Sequence, residues 1–168
     1  MPRVRALIVL VVVAGAGVAC AQHDPTKELE VLDIETYWIV DSPRDGQNFI
    51  APAIRFRLRN RGSERLSSVQ ARTRFPGTAE DDAWGSNQQE VSSWREPLAP
   101  GEDRLVIVRS IGRYQAAAEP EDILRSPAFQ DPRAEVFVRI GNSNWAKLAE
   151  APVERRIGAP GVEDLVGH

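Results

Sequence analysis

Apolar and polar residues alternate along residues 54–58 and again along residues 69–75. A period of two is typical of a strand with one buried face and one solvated face. Asn60, Gly62 and Ser63 lie between the two stretches and are turn-forming residues. The pattern therefore predicts an Arg-rich hairpin whose inward positions are Ile54, Phe56, Leu58, Val69, Ala71, Thr73 and Phe75. Two strands are not stable alone, so further sheet must cover this apolar face.

Five further stretches have the composition of strands. These stretches are rich in β-branched and aromatic residues or have alternating apolar positions. They comprise residues 29–40, 90–94, 105–111, 134–140 and 145–156, the last broken near Pro152. One helical turn is expected at 119–125, where Pro120 suits a first helical position. About seven strands with one short helical insert predict an all-β, immunoglobulin-like antiparallel β-sandwich over residues 29–157, followed by a flexible tail at 158–168.

The turns between these strands resemble those of a known domain type. The run 56–62 reads Phe-Arg-Leu-Arg-Asn-Arg-Gly, and the run 98–102 reads Leu-Ala-Pro-Gly-Glu before a Val-rich stretch. In this respect residues 54–111 are similar to the CARDB and FxLYD-type immunoglobulin-like domains of bacterial envelope proteins. The insert at 113–131 departs from that type. The resemblance implies a binding or spacing role and no catalysis.

The N-terminal residues have the pattern of an export signal. Arg3 and Arg5 precede an unbroken apolar run at 6–19, which is shorter than the roughly 20 residues a membrane-spanning helix needs. The run ends in Gly-Val-Ala-Cys at 17–20, which resembles the lipobox of bacterial lipoproteins, although that box usually has Leu where Gly17 stands. Residues 1–19 are thus interpreted as a lipoprotein signal peptide, and Cys20 as the acylated first residue of the mature chain. The alternative is a plain secreted protein cut near Ala19.

Cys20 is the only Cys in the chain, so no internal disulfide can form. Residues 20–28 are expected to form a lipidated tether. Ala21 follows Cys20, and by resemblance to lipoproteins of the enteric type this implies the periplasmic side of the outer membrane. The expected partners are therefore the membrane, through acyl chains on Cys20, and an envelope protein. The sequence leaves the oligomeric state and the identity of that protein open.

Charge and residue content exclude several functional classes. Removing Arg3 and Arg5 with the leader changes the formal net charge from −3 to −5, so no nucleic-acid partner is expected. Both His residues, His23 and His168, fall in the expected tether and tail, which removes the usual general base and zinc ligand from the fold. No metal site and no cofactor are expected. The adjacent acids at 80–82 lack the spacing of a calcium loop and are interpreted as a solvated loop.

The most distinctive surface residues are Arg. If both strands of the predicted hairpin lay in one sheet, five Arg would share an outer face and could bind anionic head groups or an acidic partner. If the chain instead crosses between sheets, the Arg divide onto opposite faces. A simpler interpretation is that they pair with nearby acids. Trp38 and Trp145 are expected in the core, whereas Trp84, placed in a loop, is a possible binding anchor. The candidate binding surface consists of Arg55, Arg57, Arg59, Arg72, Arg74 and Trp84.

These observations predict a lipid-anchored envelope protein that is not an enzyme. Its β-sandwich would act as a non-catalytic interaction or accessory module. One alternative is a lipid- or ligand-carrying accessory subunit of an envelope transporter, which a hollow interior would favour. The other is a small hydrolase that uses two carboxylates.

Overall fold

The computed structural model describes residues 23–77 and 83–158. The predicted signal peptide, Cys20, the acidic residues at 80–82 and the tail from residue 159 onward lie outside this described part. The elements, in chain order, are α1 (Pro25–Glu28), β1 (Leu29–Arg44), β2 (Gln47–Asn60), β3 (Val69–Pro76), β4 (Ala83–Ser92), β5 (Asp103–Arg109), β6 (Tyr114–Ala116), α2 (Pro120–Arg125), β7 (Arg133–Ile140) and β8 (Ala146–Pro152).

The strands form two antiparallel sheets that pack face to face. The first sheet has the order β1-β2-β5, with β6 also paired to β2, and the second has the order β4-β3-β7-β8. The chain crosses from the first sheet to the second after β2, returns after β4, and crosses again after β6. This arrangement confirms the predicted all-β, immunoglobulin-like sandwich. Among the residues described, no helix is long and apolar enough to cross a membrane.

The alternating positions of β2 and β3 point into the core as predicted. Phe56 in β2 and Phe75 in β3 are completely buried, and so is Trp38 in β1. The inward residues of β7 complete one continuous cluster between the sheets. The outward positions of β3 and β7 are more exposed, so these strands bury only one side. In the first sheet, Tyr37, Ile39 and Ala53 form a second, smaller buried cluster.

The predicted hairpin between β2 and β3 is wrong, since these strands belong to different sheets. Asn60 is the residue at which the chain leaves the first sheet. Its buried amide donates to the carbonyls of Glu64 (2.7 Å) and Leu98 (3.0 Å), and its side-chain oxygen accepts from the Gly62 N–H (2.9 Å). The turn chemistry at Asn60 and Gly62 therefore stabilises a crossover rather than a hairpin.

The segment expected to be a tether is structured from His23 onward. Asp24 caps α1 by accepting from the Thr26 N–H, and Pro25 is buried. Arg61, in the crossover, donates from Nε to the Lys27 carbonyl at 2.8 Å and from Nη2 to the Thr26 carbonyl. The chain thus joins the sandwich before β1 begins.

Two other Arg side chains attach loops to the sandwich in the same manner. Arg104, at the start of β5, donates to the carbonyls of Val91, Glu96 and Pro97 at 2.9–3.0 Å. Arg155, after β8, donates to three carbonyls around α2 and to both carboxylate oxygens of Asp131. The predicted helical turn at 119–125 is confirmed as α2, and this Arg holds it against the core.

The last described segment runs beside β1. The Trp38 N–H donates to the Arg156 carbonyl at 2.8 Å, and the Gly158 N–H donates to the Trp38 carbonyl at 2.7 Å. β8 ends at Pro152, where the predicted strand 145–156 was expected to break, and residues 153–156 do not continue it. The exposed edge of β1 is consequently covered around Trp38, which reduces the backbone available there for pairing with another chain.

Candidate functional site

The five Arg of the predicted binding surface do not share one face. Arg55, Arg57 and Arg59 lie on the outer face of β2, in the first sheet. Arg72 and Arg74 lie on the outer face of β3, in the second sheet. The residues between these strands cross from one sheet to the other, so the two groups occupy opposite sides of the sandwich.

The three Arg of β2 each pair with an acid on a neighbouring strand. Arg55 Nη2 lies 2.6 Å from Glu35 Oε1, and Asp103 pairs with Arg57 and, at 3.4 Å, with Arg59. The hydrogen bond from Arg55 lowers the pKa of Glu35, and the hydrogen bond from Arg57 lowers the pKa of Asp103. Each of the three Arg on this face has a carboxylate partner, although Arg57 and Arg59 share Asp103. The pairs are exposed enough that each contributes little to stability.

The second sheet carries a different arrangement, which we call the Trp145 patch and define as Arg72, Phe137, Arg139 and Trp145. Arg72 Cζ lies 4.6 Å from the centre of the Trp145 ring and 5.5 Å from that of Phe137. Arg139 Cζ lies 4.8 Å from the centre of the Trp145 ring. Both guanidinium groups therefore contact the same indole within the usual range of a cation–π interaction.

Neither cation of the Trp145 patch has a carboxylate partner among the residues that the structure describes. Arg139 Nε donates to Gln70 Oε1 at 2.9 Å, which leaves its charge uncompensated. Arg72 Nε is buried and makes no hydrogen bond within the described residues, so the rings orient this guanidinium. Further along the face, Arg74 lies 4.0 Å from Glu135, and Lys147 also binds Glu135. On this face of the second sheet, the uncompensated positive charge is thus localised around Trp145. Elsewhere, Arg95 stacks 4.9 Å from the centre of the exposed Trp94 ring and has no carboxylate partner among the described residues.

A shallow groove extends the Trp145 patch toward the N-terminus. It has a volume of about 420 Å³ and is lined by α1 and by the turn between β7 and β8, through residues His23, Asp24, Pro25, Lys27, Ser143, Asn144, Trp145 and Ala146. His23 Nδ1 lies 2.9 Å from Glu28 Oε2, and Lys27 Nζ lies 3.1 Å from Asp24 Oδ2. His23 was expected to lie apart from any ordered site; instead, the structure places it in this groove.

The three Trp residues for which a role was predicted are distributed differently from the prediction. Trp38 is in the core as expected, whereas Trp145 is only half-buried and packs outside the second sheet. Trp84 lies in β4 rather than in a loop, and its side chain falls outside what the structure describes. The structure therefore does not join Trp84 to the Arg residues of the predicted surface, and it leaves that part of the prediction untested.

Sequence reasoning missed Phe137 and Arg139. One signal was available, because residues 134–140 alternate and place Val136 and Val138 inward, so Phe137 must point outward. A large aromatic side chain on the solvated face of a strand, next to an Arg, is unusual. It indicates that this face is an interaction surface.

A second groove has a structural explanation. It has a volume of about 510 Å³ and is lined by α2 and the segment after β8. Arg155 lines it, but its guanidinium already donates to the Leu124, Ser126 and Phe129 carbonyls and to Asp131. The hydrogen bond to Asp131 raises the pKa of Arg155. Across residues 23–77 and 83–158, no group of three or more His, Cys, Asp or Glu is placed to hold a metal ion.

Comparisons with known proteins identify no family for this chain. No protein-family model matches it, and no curated protein matches it. Among solved structures, a structural-genomics target aligns with a TM-score of 0.44 and 10% identity, covering 86% of this chain and 97% of its own. The putative ApaA protein from Bordetella pertussis aligns with a TM-score of 0.40 and 16% identity, covering 75% of this chain and 92% of its own. A β-glucuronidase from Bacteroides uniformis aligns with a TM-score of 0.40 and 12% identity over 76% of this chain but only 12% of the enzyme. At these TM-scores the similarities carry no argument about function.

Proposed function

We propose that this chain is a lipid-anchored envelope protein whose β-sandwich is a non-catalytic interaction module. The proposed anchor is Cys20, the single Cys, which directly follows a short apolar run with a basic start. Several acyl chains on one residue hold a protein stably on a membrane, whereas one chain is marginal. The proposed location is the periplasmic side of the outer membrane, and the resemblance to CARDB and FxLYD-type domains is consistent with it.

The Trp145 patch is the observation that carries the binding role. Arg72 and Arg139 keep uncompensated charges on the surface of a chain whose net charge is negative. Trp and Arg are the residues most often found to dominate the energy of binding surfaces. Guanidinium groups bind carboxylates and phosphates in a bidentate manner. The ligand of this module is therefore an anionic component of the envelope.

The packing of the sandwich favours an interaction module over a carrier. Trp38, Phe56 and Phe75 fill the space between the sheets and are completely buried. A carrier needs an interior volume for its ligand, whereas the two grooves described above lie at the surface. We therefore assign the ligand to an outer face of the sandwich.

The anchor is tested by fractionating cells that express the full chain or its Cys20→Ser variant. The full chain should need detergent for extraction and should have the mass of an acylated mature protein. The variant should remain an uncleaved precursor or appear in the soluble periplasm. Equal mass and equal membrane retention for both chains would contradict the anchor.

The binding face is tested by photocrosslinking in the native envelope. Gln88 lies beside Arg72 on the neighbouring strand and is exposed, whereas Leu105 is exposed on the opposite face. A photoreactive residue in place of Gln88 should give adducts that the same residue in place of Leu105 does not. Adducts confined to the Leu105 position would place the binding face on the first sheet. If the purified chain hydrolysed a glycan or an ester and one carboxylate substitution abolished this, the proposal of a non-catalytic module would fail.

A further inference from the structure

The Trp145 patch lies close to the residue proposed as the anchor. His23 lines the groove next to Trp145 and follows Cys20 by three positions. Three residues of fully extended chain span at most about 11 Å. Whatever conformation that segment adopts, an acylated Cys20 would hold this end of the sandwich within about 11 Å of the lipid interface.

The chemistry of the Trp145 patch matches that interface. An indole has an apolar body and one polar N–H, and Trp is enriched where hydrocarbon meets head groups. Arg places its aliphatic stem on apolar surface and keeps its charge in water. Arg72 and Arg139 both contact Trp145, so the patch presents one amphipathic ring with two cations beside it.

The charges on the rest of the surface favour one orientation of the sandwich relative to the membrane. The mature chain carries a formal charge of −5, so an anionic membrane repels most of its surface. On the outer face of the first sheet, Arg55 forms an ion pair with Glu35, and Arg57 and Arg59 form ion pairs with Asp103. The patch on the second sheet retains uncompensated cations and also lies next to the anchor. This face therefore combines uncompensated cations with a position next to the proposed anchor.

We infer that the Trp145 patch docks on the anionic head groups of the bilayer that holds Cys20, with Arg72 and Arg139 binding lipid phosphates. This inference depends on the proposed anchor. A patch with two Arg would bind a membrane weakly by itself, but the anchor makes the contact intramolecular and raises its effective concentration. A soluble acidic protein would lack that advantage. The outer face of the first sheet then points away from the membrane.

The unique thiol allows a direct test with the mature chain, residues 20–168. Cys20 is coupled to a maleimide lipid in one of two kinds of vesicle. One contains phosphatidylcholine alone, and the other also contains about a quarter phosphatidylglycerol, which is anionic. Both contain a lipid with a nitroxide quencher at the level of the head groups. The measured signal is the quenching of Trp fluorescence by the nitroxide. Subtracting the quenching of the Trp145→Phe variant from that of the unmodified chain gives the contribution of Trp145 alone. We expect roughly twofold more Trp145 quenching on the anionic vesicles, lost as salt rises from about 50 to about 500 mM.

The matched variants remove the same charge from opposite faces. Arg72→Gln with Arg139→Gln should abolish the difference between the two vesicle types, whereas Arg55→Gln with Arg59→Gln should preserve it. If the first pair fails to fold, the salt dependence of the unmodified chain decides the question. Equal quenching on both vesicles at low salt, or loss of quenching in both pairs, would overturn the inference.

The outcomes separate this inference from the proposed function. Coupling through maleimide supplies an anchor in every case, so failure of acylation in cells contradicts the proposed function without affecting the vesicle result. If the vesicle signal is absent, the inference fails, and the Gln88 crosslinks then identify the occupant. A cross-linked pair of these chains would indicate a second copy, and an adduct with another polypeptide would indicate a protein ligand.

Discussion

Asn60 offers the sharpest test of how this sandwich is held together, because its side chain is buried and makes three hydrogen bonds at the crossover between the sheets. Asn60→Ala removes all three. At about 1 kcal/mol net for each hydrogen bond, the expected loss in the free energy of unfolding is about 2 to 4 kcal/mol. The larger penalty for a buried carbonyl left without a donor does not apply in full. The Leu98 carbonyl still accepts a hydrogen bond from the Leu66 N–H at 3.0 Å.

The loss can be measured by urea denaturation of the mature chain, followed by circular dichroism, with the same slope expected for both proteins. The control is Asn142→Ala in the exposed turn between β7 and β8, where a change within about 0.5 kcal/mol is expected. A loss below about 0.5 kcal/mol for Asn60→Ala would refute the assigned role.

Asn60→Asp separates hydrogen bonding from size. The substitution keeps the shape but replaces a donor with a carboxylate that faces two carbonyls, so burial and repulsion raise the folded-state pKa of the new carboxyl. The variant should be at least as unstable as Asn60→Ala at pH 7. A folded pKa above the unfolded one means that stability is recovered as the pH falls, because the protonated group can donate one bond. An Asn60→Asp deficit independent of pH would show that the side chain does not donate to these carbonyls.

Three further predictions follow from the packing and the charges. Phe56→Ala should cost about 3 to 5 kcal/mol, because it truncates a completely buried side chain, and an unchanged urea midpoint would contradict the core assignment. Asp103 has a lowered folded pKa, so its pairs stabilise the fold above the ordinary carboxyl range and this contribution is lost as the pH falls through the folded pKa. Asp103→Asn should therefore lower the melting temperature at pH 7 but change it less below about pH 3; an equal change at both would contradict the ion pair. Arg155→Lys should lower the melting temperature more than Arg125→Lys, because a lysine cannot reproduce the bonds from one planar group to three carbonyls and Asp131. Arg125 is exposed and forms an ion pair with Asp122 across one helical turn.

Alternation along the chain was sufficient to predict the core strands but not their assignment to sheets. The inward positions of β2 and β3, including Phe56 and Phe75, were predicted correctly, because a period of two specifies which side of a strand is buried. Both a hairpin and a crossover satisfy that pattern. The choice depends on distant groups, above all the Leu98 carbonyl that binds the Asn60 amide, and sequence spacing does not show this contact.

The predicted strand at 90–94 overlaps only the end of β4, and α1 was not predicted, for a related reason. In β4, residues 86–90 are exposed on both faces, so no buried period marks them as a strand. The helix α1 has only four residues, and contacts with Arg61 hold it in place rather than its own helix propensity. Trp145 was assigned to the core because it was expected to lie in a strand, but it precedes β8. Two guanidinium groups provide an alternative packing surface for its ring.

The use of Arg to attach loops has a consequence for where this protein can fold. Arg61, Arg104 and Arg155 each connect backbone carbonyls of an irregular segment or short helix to the sandwich, a task that disulfides perform in many small exported domains. Such contacts form without an oxidant, so folding should be independent of thiol-oxidising enzymes and insensitive to dithiothreitol. These contacts should instead be sensitive to guanidinium salts, because guanidinium ions in solution carry the same donor group and compete for the same carbonyl oxygens.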